Sequence, residues 1–222
     1  MTTLITVEAA DTDGVAVLTL DRAEKRNALS IALRNEMSDA LDRLAADDAT
    51  RVVVITGVGD VFSAGFDLDE FAATDLAERL WASSDRWHRT VVTYPLPTVA
   101  AVNGAALGGG FDLAVMCDLR IAAASATFGH PEHRFSQVVY GPLHDVVGGA
   151  RARDLALTGR RIDATEAHAL GLVTRVVPGP ALLGAARDTA REIAEAPRNV
   201  LLAMKTKIIR RAGIERAATL DL

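Results

Sequence analysis

Two glycine-bearing segments carry the residues best suited to chemistry, Val61-Phe-Ser-Ala-Gly-Phe-Asp-Leu68 and Asn103-Gly-Ala-Ala-Leu-Gly-Gly-Gly-Phe-Asp-Leu-Ala114. Each lies just downstream of an apolar run that reads as a buried strand, so its glycines stand where a strand hands over to a helix or loop. Glycine there lets the backbone come close to a ligand and leaves amide N–H groups pointing outward. A helix N-terminus adds positive potential, so such amides stabilise a negative oxygen. Two converging amides make an oxyanion hole, in which the loss of one donor typically costs about 2.7–4 kcal/mol of barrier. The same glycines also suit a plain turn or close helix–strand packing, and the triplet Gly108–Gly110 alone does not separate the two readings.

The acids pose the next question. Asp112 falls in the first turn of the helix expected after the triplet, where an acid serves either the helix dipole or a reaction. Glu132, in Phe128-Gly-His-Pro-Glu132, follows a strand and lies beyond Pro131. A lone loop glutamate is ordinarily solvated. Two acids beside amide donors can instead move a proton and activate water. Other chemistries lack their patterns: no G-x-G-x-x-G follows a strand, and no G-x-x-x-x-G-K-[ST] is present. Without G-x-S-x-G, Ser63 is a poor hydrolase nucleophile. His130, His133 and His144 match no zinc spacing and read as polar surface or hydrogen-bonded neighbours, so no metal is expected. Cys117 reads as a small buried hydrophobe.

The elements that position these groups alternate between strand and helix. Gly14–Leu20, Arg51–Thr56, Pro97–Val102 and Leu119–Ala123 read as strands, the second and third buried on both faces. Ser30 caps a helix whose Leu33, Met37, Leu41 and Leu44 recur at helical spacing. Residues 75–93 form a further helix with Leu76, Leu80, Trp87 and Val91 on one side. After Gly141 the pattern turns mainly helical, with a capping box at Asp163-Ala-Thr-Glu166. A last strand is expected over Gly171–Val177, then two helices separated near Pro197. The fold class is α/β.

Composition narrows the classes. The chain has 222 residues, 50% apolar, with a formal charge of −5. That length makes one large domain, or one with a small appendage, able to bury about 70% of the unfolded chain's surface. An acidic balance and few aromatics argue against a nucleic-acid platform. The N-terminus lacks the basic and long apolar regions of a signal peptide. The uncharged stretch from Thr90 to Phe111 contains prolines and glycines, which suits a strand, turn and helix start better than a membrane span. One cysteine excludes an intramolecular disulfide framework. The expectation is a cytoplasmic protein with no membrane or nucleic-acid partner.

Five segments, taken together and in order, are similar to the crotonase, or enoyl-CoA hydratase/isomerase, family. They are Asp21-Arg-Ala-Glu-Lys-Arg-Asn-Ala-Leu29, Phe62-Ser-Ala-Gly-Phe-Asp-Leu68, Ala101-Val-Asn-Gly-Ala-Ala-Leu-Gly-Gly-Gly110, Phe128-Gly-His-Pro-Glu132 and Leu157-Thr-Gly-Arg-Arg-Ile-Asp-Ala164. The resemblance implies a spiral of ββα units over residues 1–180, with a shortened helical segment over 181–222. It implies acyl-CoA thioester substrates, with coenzyme A entering as part of the substrate and no separate cofactor. An enolate-like intermediate would be held by the amides of Phe66 and Gly109, and Glu132 and Asp112 would be the acid/base pair. Lys25, Arg26, Ala64, Asp67, Leu68 and Gly108 would contact the substrate. The implied assembly is a homotrimer or a dimer of trimers.

The chain also departs from the family pattern. Asp112 is one methylene shorter than the usual hydratase glutamate, and an acid of this length resembles the dienoyl-CoA isomerase branch. That branch's further Asp aligns with Tyr140, the nearest Asp being Asp145. Asp69 stands where many relatives carry a Lys. The segment Arg134–Asp145, which borders the acyl pocket, looks shortened, and the chain stops at Leu222 where relatives continue. The basic run Lys205–Arg211 either meets a CoA phosphate or forms a solvated helix face. Hydration of a 2-enoyl-CoA is therefore the leading expectation. Double-bond isomerisation and non-catalytic acyl-CoA binding are the alternatives.

Overall fold

Long apolar runs without polar alternation build the larger sheet, because a strand covered on both faces needs no wet side. In the computed structural model, which describes residues 3–213, β1 (Ile5–Glu8) pairs antiparallel with β2 (Val15–Leu20). Helix α1 (Ile31–Ala46) follows, and then a unit recurs. It runs β3 (Val52–Gly57), β4 (Val61–Ser63), α2 (Leu68–Ala72) and α3 (Ala77–Val92). The next turn is β5 (Thr98–Val102), β6 (Ala105–Leu107) and α4 (Gly109–Met116), and the third is β7 (Leu119–Ala123), β8 (Thr127–Gly129) and α5 (Gly141–Val147). The remainder comprises α6 (Gly149–Thr158), β9 (Ile162–Asp163), α7 (Ala164–Ala169), β10 (Arg175–Val177), α8 (Leu182–Ala194) and α9 (Arg198–Ala212).

Each turn of this spiral adds one strand to each of two sheets. The larger sheet has the order β1-β2-β3-β5-β7-β10, parallel beyond the β1 edge. The smaller has the order β4-β6-β8-β9, with β4, β6 and β8 parallel. The mixed α/β spiral of ββα units is thus the observed fold. Two local expectations change. The chain does not pass from Asn103-Gly104 straight into the glycine cluster, because β6 intervenes and pairs with β8. The last strand shrinks to Arg175–Val177, since the amides of Leu172 and Val173 both turn back to the Ala167 carbonyl and extend the end of α7 instead.

Helices cover both faces. Ser30 accepts from the Leu33 amide and starts α1, whose Leu33, Met37, Leu41 and Leu44 are buried with Trp87 and Val91 of α3 in one core. The Trp87 indole donates to Met37 Sδ at 3.2 Å. On the opposite face Leu182, Ala186, Ala190 and Ala194 of α8 pack on Val15, Val17, Val52, Val54 and Val99. Cys117 is buried, and burial pushes its thiol up to about 12. None of the described helices is long and apolar enough to cross a membrane.

Of the helical segment expected over 181–222, residues 214–222 lie outside the described residues. Lys205 fits neither reading of its basic run. It is 4% exposed and donates to both carboxylate oxygens of Asp118, at 2.8 and 2.9 Å, while Lys207, Arg210 and Arg211 are exposed. Asp118 also accepts from the Thr98 amide and hydroxyl, so the pair locks α9 to the start of β5. Asp118 is part-exposed and keeps its Thr98 donors when the lysine is lost, so the cost is that of one charged hydrogen-bonded contact, about 1.5–3 kcal/mol. Lys205→Met should therefore lower unfolding stability by about that amount in urea titration, and a loss below about 1 kcal/mol would show that the pair is not fastening the helix.

Candidate active site

The smaller sheet sets the site. Its register places Ser63 beside Ala106 and Leu107 beside Gly129, so the carboxyl ends of β4, β6 and β8 lie side by side. Open sheets bind ligands at the carboxyl ends of parallel strands. Here the chain leaves β4 through Ala64–Phe66 and leaves β6 through Gly108 into α4. It leaves β8 through His130 into a short 3-10 helix, Pro131–Arg134. Gly65 has φ +94°, and a Cβ there would stand 2.8 Å from the Leu107 carbonyl oxygen. Gly108 has φ +53°, and its Cβ would stand 3.0 Å from Glu132 Oε2. The dihedral favours glycine at both positions, and at Gly65 the backbone contact leaves no space for a side chain.

Neighbouring contacts make the Phe66 loop rigid. The Leu29 amide donates to Gly65 O at 2.8 Å, and Leu29 and Phe66 form a parallel bridge. The Phe66 ring meets Trp87 edge-on at 6.3 Å and lies 4.4 Å under the Arg34 guanidinium. Arg34 is fully buried and donates to the carbonyls of Leu29 and Leu80. Burial lowers its pKa to about 10. The buried side chain of Asn27 donates to the carbonyls of Val58 and Val61 and accepts from the Arg22 amide. These contacts give a structural reason for the early Arg-Asn-Ala-Leu segment. Gly109 opens α4, so its amide has no intrahelical acceptor. Among the described residues, neither the Gly109 nor the Phe66 amide has a protein acceptor.

Beside these amides sit the two acids. Asp112, 6% exposed, projects from the first turn of α4, and Glu132 comes from the 3-10 helix beyond β8. Their carboxylates and a ring nitrogen of His130 all lie within 4.8 Å of one another. Burial pushes the Glu132 carboxyl up to about 7, and the Asp112 charge adds to this while His130 opposes it. Burial disfavours charge on His130, but the Asp112 charge and hydrogen bond outweigh it and raise its pKa. His130 Nε2 and Asp112 Oδ1 lie 2.8 Å apart, at hydrogen-bond distance, so the trio reads as a proton-holding cluster rather than a cation cage. A group that exchanges its proton near neutral pH suits general acid–base work.

A cavity of about 250 Å³ opens here, and it gathers Glu132, Asp112, Phe66, Gly109, Gly108, Ala64 and Leu68. Its other walls are mainly apolar, among them Phe71, Trp81, Phe135 and Val139, with His88, Ser136 and Gln137 adding polar groups. Phe71 meets both Trp81 and Phe135 edge-on at 6.2 Å. Three expected contact residues are not on this wall. Asp67 accepts from Arg22 at 2.6 Å and caps α2; burial opposes its charge, but Arg22 outweighs this and holds its pKa down. Lys25 is exposed and pairs with Asp69 at 2.9 Å, and Arg26 is exposed. So Asp69, standing where a Lys was expected, also occupies the neighbouring cation. Of the two readings of His130, polar surface or hydrogen-bonded neighbour, the second holds: it is buried against Asp112, a partner the sequence did not identify. Its separation of 18 residues from Asp112 belongs to no motif. The meeting of Phe71, Trp81 and Phe135 was missed as well, because they come from three separate segments and nothing in their spacing shows that they touch.

The enoyl-CoA hydratase/isomerase family model matches residues 10–221. A probable enoyl-CoA hydratase, echA8, of Mycobacterium tuberculosis is 41% identical over 186 residues, covering 82% of this chain and 72% of the relative. A hydroxycinnamoyl-CoA hydratase-lyase of Pseudomonas fluorescens is 37% identical over 211 residues, covering 90% and 76%. Among solved structures, an enoyl-CoA hydratase/isomerase from Xanthobacter autotrophicus Py2 superposes with a TM-score of 0.87 at 32% identity, covering 97% of this chain and 82% of that one.

The folded protein favours the neutral form of Glu132. The stabilisation tied to this residue is therefore full below pH 4.5 and is lost as pH rises through about 7. Glu132→Gln removes that dependence. From about pH 4.5 to about pH 8, the wild type should lose on the order of 3 kcal/mol relative to the variant in urea unfolding. Parallel pH curves for the two proteins would refute the burial argument.

Proposed function

The chain belongs to the enoyl-CoA hydratase/isomerase family, and on that premise we propose that it adds water across the 2,3 double bond of an enoyl-CoA thioester. The observation that carries this reading is a buried glutamic acid, poised near neutrality beside a second acid, on a cavity wall where two amides have no acceptor among the described residues. The thioester oxygen accepts hydrogen bonds from the Phe66 and Gly109 amides. The acyl chain runs along the apolar wall, with Leu68 at the mouth and the CoA portion toward Ala64, Lys25 and Arg26.

Water held by Asp112 attacks C3. The new C3–O bond forms as the double-bond electrons move toward the carbonyl, giving an enolate whose oxygen faces the two amides. Preorganised donors of this kind favour the charged transition state over the ground state. Glu132 delivers its proton to C2, while Asp112 receives the proton lost by water. Transfer of a proton between the two neighbouring acids restores the starting state. A second reading, double-bond isomerisation, is favoured by the hydrogen bond that ties Asp112 to His130. That bond leaves Glu132 as the group able to shuttle a proton alone.

Loss of the conjugated thioester absorbance of crotonyl-CoA tests hydration, and gain of that absorbance from a 3-enoyl-CoA tests isomerisation. Glu132→Gln should lower kcat by about 10²–10⁴-fold with the fold intact. Because the acid form acts, the wild-type rate should fall as pH rises through about 7. Turnover in that variant at the wild-type rate, or none in the wild type with short or long 2-enoyl-CoAs, overturns the reading.

A further inference from the structure

His130 is 0% exposed and lines no part of the cavity, whereas Asp112 and Glu132 both do. Its ring packs against Phe111 with centroids 4.7 Å apart, and its Nε2 lies 2.8 Å from Asp112 Oδ1. Its carbonyl accepts from His133, at the amide and at Nδ1 of the ring. Its own Nδ1 is buried with no partner among the described residues. A fully buried imidazole with one nitrogen orphaned is costly for the fold. Packing alone would be served by an apolar side chain of similar size.

What the ring does is hold an acid from behind. A free aspartate offers two equivalent oxygens and swings about two torsions, and reacting groups displaced by about 1 Å can lose about 10²-fold in rate. In both the neutral Nε2–H form and the imidazolium form, His130 donates to Oδ1, which leaves Oδ2 as the oxygen for water. We propose that His130 is a positioning residue of this site, clamping one oxygen of Asp112 so that the short acid presents the other to water and leaves the mobile proton on Glu132.

The proposal rests on the acid/base reading given above. The titratable groups facing the pair are Glu132 and His133 from the 3-10 helix, Asp112 from α4 and His88 from α3. His130 pulls the Glu132 carboxyl down and Asp112 pushes it up, so the two have opposite effects on the same proton.

Steady-state hydration by His130→Gln and His130→Leu, each followed across pH, tests this. Gln keeps an N–H donor without the charge, and Leu keeps neither. His130→Leu should lower kcat by about 10- to 100-fold with KM nearly unchanged, and His130→Gln should recover most of that loss. In both variants the limb of the rate profile set by Glu132 should move to higher pH, and in Asp112→Asn it should move lower. A purely structural role would move neither limb. Wild-type kcat with an unmoved limb in His130→Leu overturns the proposal, as does His130→Gln impaired as much as His130→Leu. Nitrogen-15 resonances of His130 in the substrate-free wild type supply a measurement independent of turnover and of variant folding. A protonated Nε2 supports the clamp, and an Nδ1–H tautomer overturns it. If the wild type hydrates no enoyl-CoA while Nε2 is protonated, the hydratase reading fails and the contact itself stands.

Discussion

Close backbone approach at the exits of β4 and β6 governs this molecule. A Cβ on Gly65 would crowd Leu107 O, and one on Gly110 would stand 2.4 Å from Ser63 O. Two chain segments so near each other share a wall, and the amides that follow them face the same space. The Gly108 amide donates to Gly129 O at 2.9 Å and fastens the β8 exit to the same edge. Everything chemical in the cavity hangs from these three exits. The larger sheet supplies the platform, because three of its central strands, β3, β5 and β7, are each followed by a short strand that turns the chain toward the site.

Burial then sets the electrostatics. Glu132 is kept from water and presses toward its neutral form, while Asp112 keeps a hydrogen-bond donor behind it. Two carboxyl groups side by side would repel if both were charged. The geometry avoids this by giving one a donor and the other a low-dielectric wall. Local environment, rather than residue type, divides their roles. At the rim the opposite economy holds: Lys25 and Asp69 neutralise each other in water, where such a pair contributes little to the fold.

Much of this was legible in the chain itself. The Ser30 cap, the buried runs at 52–57 and 98–102, and the glycine segments all declared themselves through local rules of propensity and spacing. The smaller sheet did not. Strands such as Val61–Ser63, Ala105–Leu107 and Thr127–Gly129 are too short to display a period. Partnerships across long separations were equally hidden. Lys205 meets Asp118 across 87 residues, and His130 meets Asp112 across 18. In each case the sequence shows a charged or polar residue, and only the folded chain shows what neutralises it.

The two amides at Phe66 and Gly109 belong to the main chain, and this has a consequence for how such a site changes over generations. No point substitution deletes a peptide N–H except one to proline. The part that stabilises negative charge is therefore shielded from ordinary mutational drift, so long as the glycines that shape the loops persist. Positions 112, 130 and 132 carry no such protection, since every amino-acid substitution there alters the chemistry directly. The scaffold thus separates a heritable, nearly fixed half from an editable half, and new reactions can be tried in the second without dismantling the first.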